Sequence, residues 1–247
     1  MGEAHSGSAA AIRRTRDAVL AAVRDPAGGA TAVARVCQAC VELVPVDGAS
    51  ISAIGGSQHR ETLYASDEVI GMVESIQFTL GEGPCYQAFS TGRPVLVPDL
   101  AKSAATAAWP VFAAQTADLP IGAIFAFPVQ HGAISIGAME FYRRRPGWLS
   151  ELEVAVALQV LDLAVMALLG ANTDPADDQP IEAWLAPFPR SREEVHQATG
   201  MIIAALGVPA EQALARLRGY AFAAGRLIED VAHDITTGRL KPTEIDT

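Results

Sequence analysis

The side chains best suited to recognition chemistry lie in the last quarter of the chain. Arg216, Arg218, Tyr220 and Arg226 fall close together, with Arg190, Arg192 and His196 ahead of them and Gln197 and Thr199 between. A guanidinium is planar, permanently charged and able to bond in a fork, which suits phosphates and the edges of unpaired bases. Arg218 and Arg226, eight residues apart across Gly225, are placed to flank one groove. Arg192 and Arg216 read more readily as a solvated face, Arg218 as a recognition residue, and Tyr220, on an apolar stripe, as core. The chain as a whole is acidic, with a net charge of −10. Residues 181–247 hold seven Lys+Arg against nine Asp+Glu, so most of the acidity lies elsewhere. A nucleic-acid ligand would therefore have to be met by a local cluster rather than by bulk charge.

Thiols and histidines give weaker signals. Cys85 follows Gly81-Glu82-Gly83-Pro84 and is expected at a helix start, where a thiol pKa falls; a structural role is favoured over redox sensing. Cys37-Gln38-Ala39-Cys40 lies on the apolar side of a helical pattern without a second pair of ligands, so it reads as core and not as zinc. His59 and His233 have no catalytic company; His131 is expected exposed at a hairpin tip, with haem ligation the lesser alternative. There is no nucleophile–base arrangement, no phosphate loop and no paired carboxylate with a role, so no enzyme is expected and no cofactor is assigned.

Two units must position these residues. Half of the 247 residues are hydrophobic and 19% are charged, which fits a folded chain. Residues 1–11 are polar and small, without the apolar core of a secretion signal, and are expected to be disordered. With three cysteines, the cytoplasm is the expected compartment. Helical spacing runs over 12–23 and over Thr31–Val44. Short extended runs follow at Ala49–Ile54 and Glu61–Ala65, a short helix at Glu68–Ile76 and another at Cys85–Ser90. Strands are expected at Arg93–Val97, Ile121–Val129 and Ala133–Tyr142. Ser150 and Glu153 form a capping box for a long helix ending at Leu169. That helix contains Glu153, Gln159 and Asp162, so it is read as buried on two sides and not as a membrane span. The fold class is α+β, an antiparallel sheet flanked by helices. A proline-rich acidic linker spans 171–187, and a small all-α unit of three helices spans 188–247, broken at Gly207 and Gly225.

Both units resemble known families. Gly81-Glu82-Gly83, then Thr91-Gly92-Arg93-Pro94-Val95-Leu96-Val97-Pro98-Asp99, then Ile136-Gly137-Ala138-Met139-Glu140-Phe141-Tyr142 resemble a GAF domain, here placed at 12–170. Gln197-Ala198-Thr199-Gly200-Met201-Ile202-Ile203, Ala213 to Ala221 and Arg226 to Ala232 resemble an ANTAR domain, with Thr199 where many members carry Lys. The GAF resemblance implies a sensor of a small molecule or other signal. Its pocket is expected among Phe78, Cys85, Phe89, Trp109, Phe125 and Phe127, residues whose spacing also fits plain core. The ANTAR resemblance implies a homodimer that binds tandem RNA hairpins with hexanucleotide loops and causes transcription antitermination. RNA contacts are expected from Arg218, Arg226, Arg216, Thr199, Gln197 and Arg192. The alternatives are a DNA-binding helix-turn-helix regulator, which Glu229, Asp230 and Asp234 on the third helix oppose, and a protein–protein or dimerisation module. The helices at 12–23 and 150–169 are expected to make the dimer.

Overall fold

The computed structural model describes residues 17, 29–55, 59–102, 107–132, 134–170 and 192–246. The tail expected over 1–11, the helix over 12–23 (Asp17 apart) and the linker over 171–187 lie outside the described residues.

Alternation of apolar and small polar residues produces a five-stranded antiparallel sheet. Its strands are β1 (Gly48–Gly55), β2 (His59–Ala65), β3 (Val95–Val97), β4 (Ala123–His131) and β5 (Ile134–Arg143), in the order β2-β1-β5-β4-β3. Because side chains alternate across a strand, the sheet has two faces with different cargo. Ala49, Ile51, Ala53, Phe125, Phe127, Met139 and Phe141 face one layer, formed by α1 (Gly29–Leu43) and the long C-terminal helix of this unit, Glu151–Gly170. Phe127 and Phe141 meet edge to face there at 5.8 Å. The other face is covered by α2 (Glu68–Leu80), α3 (Pro84–Thr91) and α4 (Pro110–Gln115), with Ile70, Val73, Val97, Phe112, Ile124 and Ala126 between them.

Caps fix the helix ends. Asp67 accepts the Ile70 N–H at 2.9 Å to start α2, and Gly81, at φ 69°, ends it in the left-handed conformation. The capping box before α5 (Glu151–Gly170) forms as expected: Glu153 accepts the Ser150 N–H at 2.6 Å, and Ser150 Oγ accepts the Glu153 N–H at 3.3 Å. Helix α2 runs four residues beyond the end expected from the sequence, because Gln77 and Thr79, polar in type, are buried against neighbours. Helix α4 is short, and its pattern does not announce it.

The C-terminal unit comprises α6 (Glu193–Leu206), α7 (Ala210–Ala223) and α8 (Ile228–Thr236), closed by a 3-10 turn at Pro242–Asp246. Val195, Ala198, Ile202, Leu217, Ala221, Val231 and Ile235 form its core. At the start of α6, Ser191 lies outside the described residues; Arg192 holds the cap position without a side-chain cap bond. Among the described residues no single helix is long and apolar enough to cross a membrane.

Gly137 marks a close approach of β1 and β5: a Cβ there would collide with the Ser52 carbonyl oxygen. Gly137→Ala is expected to lower stability by about 1–3 kcal/mol, as overpacking against backbone does. Urea denaturation checks this; an unchanged midpoint would show that β1 and β5 separate freely.

Candidate functional site

On the sheet face beneath α2, β1 presents Ser50 and Ser52, β2 presents Arg60 and Thr62, and β5 presents Glu140. Helix α2 lays Glu74 and Gln77 over them. A buried carboxylate is costly unless donors surround it. Glu74, only 1% exposed, accepts from Ser50 Oγ at 2.6 Å, Ser52 Oγ at 2.6 Å, Arg60 Nη2 at 2.5 Å and Thr62 Oγ1 at 3.2 Å. Burial alone would raise its pKa; Arg60, the two serines and Arg192 outweigh that, and the net direction is down. The Arg60 guanidinium also lies 4.8 Å from the centre of the Tyr86 ring.

Glu140 behaves in the opposite way. Burial, reinforced by the Glu74 charge, pushes it up to about 8 against the pull of Arg60. It therefore carries a proton near neutrality. Gln77 Nε2 donates to Glu140 Oε2 at 2.7 Å, and Gln77 Oε1 accepts the Cys85 N–H at 2.9 Å. Among the described residues Glu140 Oε1 has no partner. Glu74, Cys85 and Glu140 bring three potential metal-ligand atoms within 4.8 Å of one another, but the cation in contact with Glu74 there is Arg60.

Cys85 corrects an expectation. It does stand at a helix start, yet it is fully buried beside Ile54 and Ala138, and burial pushes its thiol well up rather than down. Cys37 and Cys40 are buried in α1, and their thiols are raised in the same way.

The far end of α2 meets the helical unit. Phe78 packs with the core of that unit and not with the sheet. The Arg192 guanidinium lies 3.6 Å from its ring centre and that of Arg218 lies 5.0 Å away. Arg192, 3% exposed, pairs with Glu229 at 3.0 Å and donates to Thr62 Oγ1 at 3.1 Å and to the Glu74 carbonyl at 3.5 Å. Its pKa is lowered, first by burial. His196 Nε2 meets Glu61 at 2.7 Å, and the Ile228 N–H donates to Thr79 Oγ1 at 3.2 Å. So α2 serves both units: Glu74 ties it to the sheet and Phe78 ties it to the bundle.

A cleft of about 530 Å³ opens where α3 and Arg218 come together. Of the six residues expected to line a pocket, Phe89 and Trp109 line this cleft. Cys85 is buried behind it, Phe78 lies in the bundle core, and Phe125 and Phe127 point to the opposite layer of the sheet. Ala123, Phe125, Phe127 and Val129 of β4 face the layer of α1 and α5; Ile124 and Ala126 face the opposite layer, where α3 packs on the strand. Of the residues expected to touch RNA, Arg192 and Arg218 meet at Phe78. Arg226 instead binds Asp234 at 2.7 Å and the Asp230 carbonyl at 3.2 Å. Thr199 donates to the Val195 carbonyl at 2.7 Å, Gln197 is exposed and Arg216 is half-buried. Arg60, Glu74, Gln77 and Glu140 were not singled out in the sequence. The available sign was polar residues inside apolar runs, such as Glu140 between Met139 and Phe141.

A family model described as GAF domain matches residues 30–169, and one described as ANTAR domain matches residues 189–235. No curated protein matches the chain. The GAF domain from an Acinetobacter phosphoenolpyruvate-protein phosphotransferase superposes with a TM-score of 0.50 at 13% identity, covering 71% of this chain and 99% of that one, which shows the fold. The GAF domain of the corresponding Coxiella burnetii protein has a TM-score of 0.49 at 12% identity over 66% of this chain and 94% of that one. Free methionine-R-sulfoxide reductase from Neisseria meningitidis, in complex with its substrate, has a TM-score of 0.49 at 12% identity, over 65% and 89%.

The two acids predict opposite pH responses. Glu140's folded value, about 8, lies above its ordinary 4.5, so its contribution to stability is full below about 4.5 and is lost as pH rises toward 8. Glu74 is lowered, so its contribution holds above its ordinary range and is lost in acid. Glu140→Gln should flatten the decline between pH 4.5 and 8 in urea midpoints. Glu74→Gln, which strands Arg60, should cost about 3 kcal/mol near neutrality. A Glu140→Gln protein with an unaltered slope would contradict the first assignment.

Proposed function

Since the chain belongs to the GAF domain family and carries an ANTAR domain behind its GAF domain, we propose that it is a signal-responsive regulator in which the GAF unit controls RNA binding by the ANTAR unit. The ligand on this reading is a pair of RNA hairpins with hexanucleotide loops, and the outcome is transcription antitermination. Loop bases are splayed out and open to stacking and edge contacts from arginine, whereas base-paired stems are not. The protein acts as a cytoplasmic homodimer and is not an enzyme.

The observation that carries the regulatory part is the pair of guanidiniums on Phe78. A helical unit with a small net negative charge needs its few arginines at the RNA surface. Here Arg192 is buried against the GAF unit and Arg218 is half-buried beside it. The docked arrangement therefore withholds two of the residues that the RNA reading needs, and release of the ANTAR unit from α2 exposes them. Sensor and bundle compete for the same side chains, which makes docking inhibitory.

The test is fluorescence anisotropy with a tandem hexaloop RNA, a scrambled-loop control and duplex DNA, titrated against salt. Loop-specific binding is expected, weakening with salt. Phe78→Ala removes the surface on which both arginines rest and should tighten RNA binding by about tenfold, the population of the released form rising accordingly. Arg218→Gln in that background should reverse the gain. Equal affinity for scrambled loops, or tighter binding to duplex DNA, would sink the RNA reading. An unchanged affinity in Phe78→Ala would sink the inhibitory docking alone.

A further inference from the structure

The cleft at the junction has walls from both units. Ile54 at the end of β1, Phe89 on α3 and Trp109 ahead of α4 supply its apolar side; Glu82, the Tyr86 side chain and Arg218 supply its polar side. At about 530 Å³ it has the size of a site for a small organic molecule.

Arg218 is the member that points to a ligand. Its Nε is enclosed without a hydrogen-bond partner, and Nη2 reaches the Tyr86 hydroxyl only at 3.5 Å. Among the described residues no carboxylate pairs with it. Arg60, Arg143, Arg192 and Arg226 each hold one. Arg218 lines the cleft with its terminal Nη groups held, among the described residues, by no more than the long Tyr86 contact, and such a guanidinium is matched by a planar anion bonded through two parallel N–H donors. Glu82 narrows the class. Its carboxylate lines the same cleft, engaged among the described residues by the Phe112 N–H alone at 3.4 Å, and it opposes a doubly charged phosphate more than a single carboxylate. The aromatic walls favour a flat apolar body.

We infer that this cleft binds a flat, apolar monocarboxylate, whose carboxylate pairs with Arg218 and whose ring lies against Phe89 and Trp109. Arg218 belongs to the ANTAR unit and the other walls to the GAF unit, so the ligand bridges the two. It binds the docked form in preference to the released form and thereby holds the ANTAR unit on the sensor. The inference rests on the sensor reading of the GAF domain and is independent of RNA binding.

Isothermal titration of the full chain, without RNA, tests it with indole-3-carboxylate as probe and its neutral isostere indole-3-carboxamide as charge control. The carboxylate is expected to saturate one site with a Kd on the order of 0.1 mM, and the carboxamide to bind at least about tenfold more weakly. Arg218→Gln should reduce the carboxylate to the level of the carboxamide, and the exposed Arg93→Gln should leave it unchanged. Equal affinity for the two probes on the unaltered protein, or no saturable binding, overturns the proposal without help from any variant. So does an Arg218→Gln protein of native circular dichroism that still prefers the carboxylate. Loop-specific RNA binding alongside a failed titration would overturn the ligand and leave the antitermination reading standing.

Discussion

One buried charge organises the protein. The Glu74 carboxylate lies between α2 and the sheet at 1% exposure, where an unpaired ion would unfold the site. Four donors from β1 and β2 converge on it, and their number explains otherwise odd choices: serines at consecutive inward positions of β1, and an arginine at the inward start of an edge strand. Once Glu74 is ionised, a second acid within the same pocket of low dielectric cannot be. Burial, reinforced by that charge, keeps Glu140 protonated near neutrality, although the bond it accepts from Gln77 pulls the other way. Gln77 in turn accepts the first free N–H of α3 through its other amide atom. The placement of α2, of α3 and of the turn between them all follow from satisfying one carboxylate.

The same helix carries that placement into the second unit. One turn beyond Glu74 stands Phe78, an aromatic ring that the sheet does not use and the helical bundle does. A bundle of three helices of this length has a small core of its own, to which one added ring contributes stability. It borrows Phe78 as part of its core, and Leu227 reaches back to the core of the GAF unit. Arg192 closes the arrangement by touching the ring, Glu229 of its own unit and the Glu74 carbonyl of the other. Any change that shifts α2 relative to the sheet must therefore be felt at the bundle.

What the sequence disclosed is what local rules encode. The capping box at Ser150 and Glu153, the helix end at Gly207, the two long strands β4 and β5 and the three helical stripes were all readable. A strand assignment, however, does not say which face of the strand meets which layer. Phe125 and Phe127 were grouped with Phe89 and Trp109, although the sheet separates them. The buried network was hidden for a related reason: Ser50, Ser52 and Arg60 look like a solvent-facing set until α2 covers them. Cys85 was legible in position but not in chemistry, because burial raises its thiol pKa by more than the nearby Arg60 charge lowers it. The docking of Arg192 and Arg218 has no local signature at all, since it depends on a ring more than a hundred residues away.

The magnitudes at the junction suit a reversible contact. A desolvated cation over an aromatic ring contributes about 2 kcal/mol, and beside it stands one part-buried pair, the exposed His196 with the buried Glu61. The junction is thus polar, like the contact surfaces between domains that move. A charge-assisted bond to a ligand contributes about 1.5–3 kcal/mol, which is comparable to the Phe78 contact itself. Reversing a docked preference outright requires about 5.5 kcal/mol, more than one such bond supplies. One bound anion at Arg218 therefore suits a graded response, shifting the balance between docked and released forms by one to two powers of ten. A sharper response would require a second input along α2, and that input has most leverage on the turn from Glu74, which fastens the helix to the sheet, to Phe78, which fastens it to the bundle.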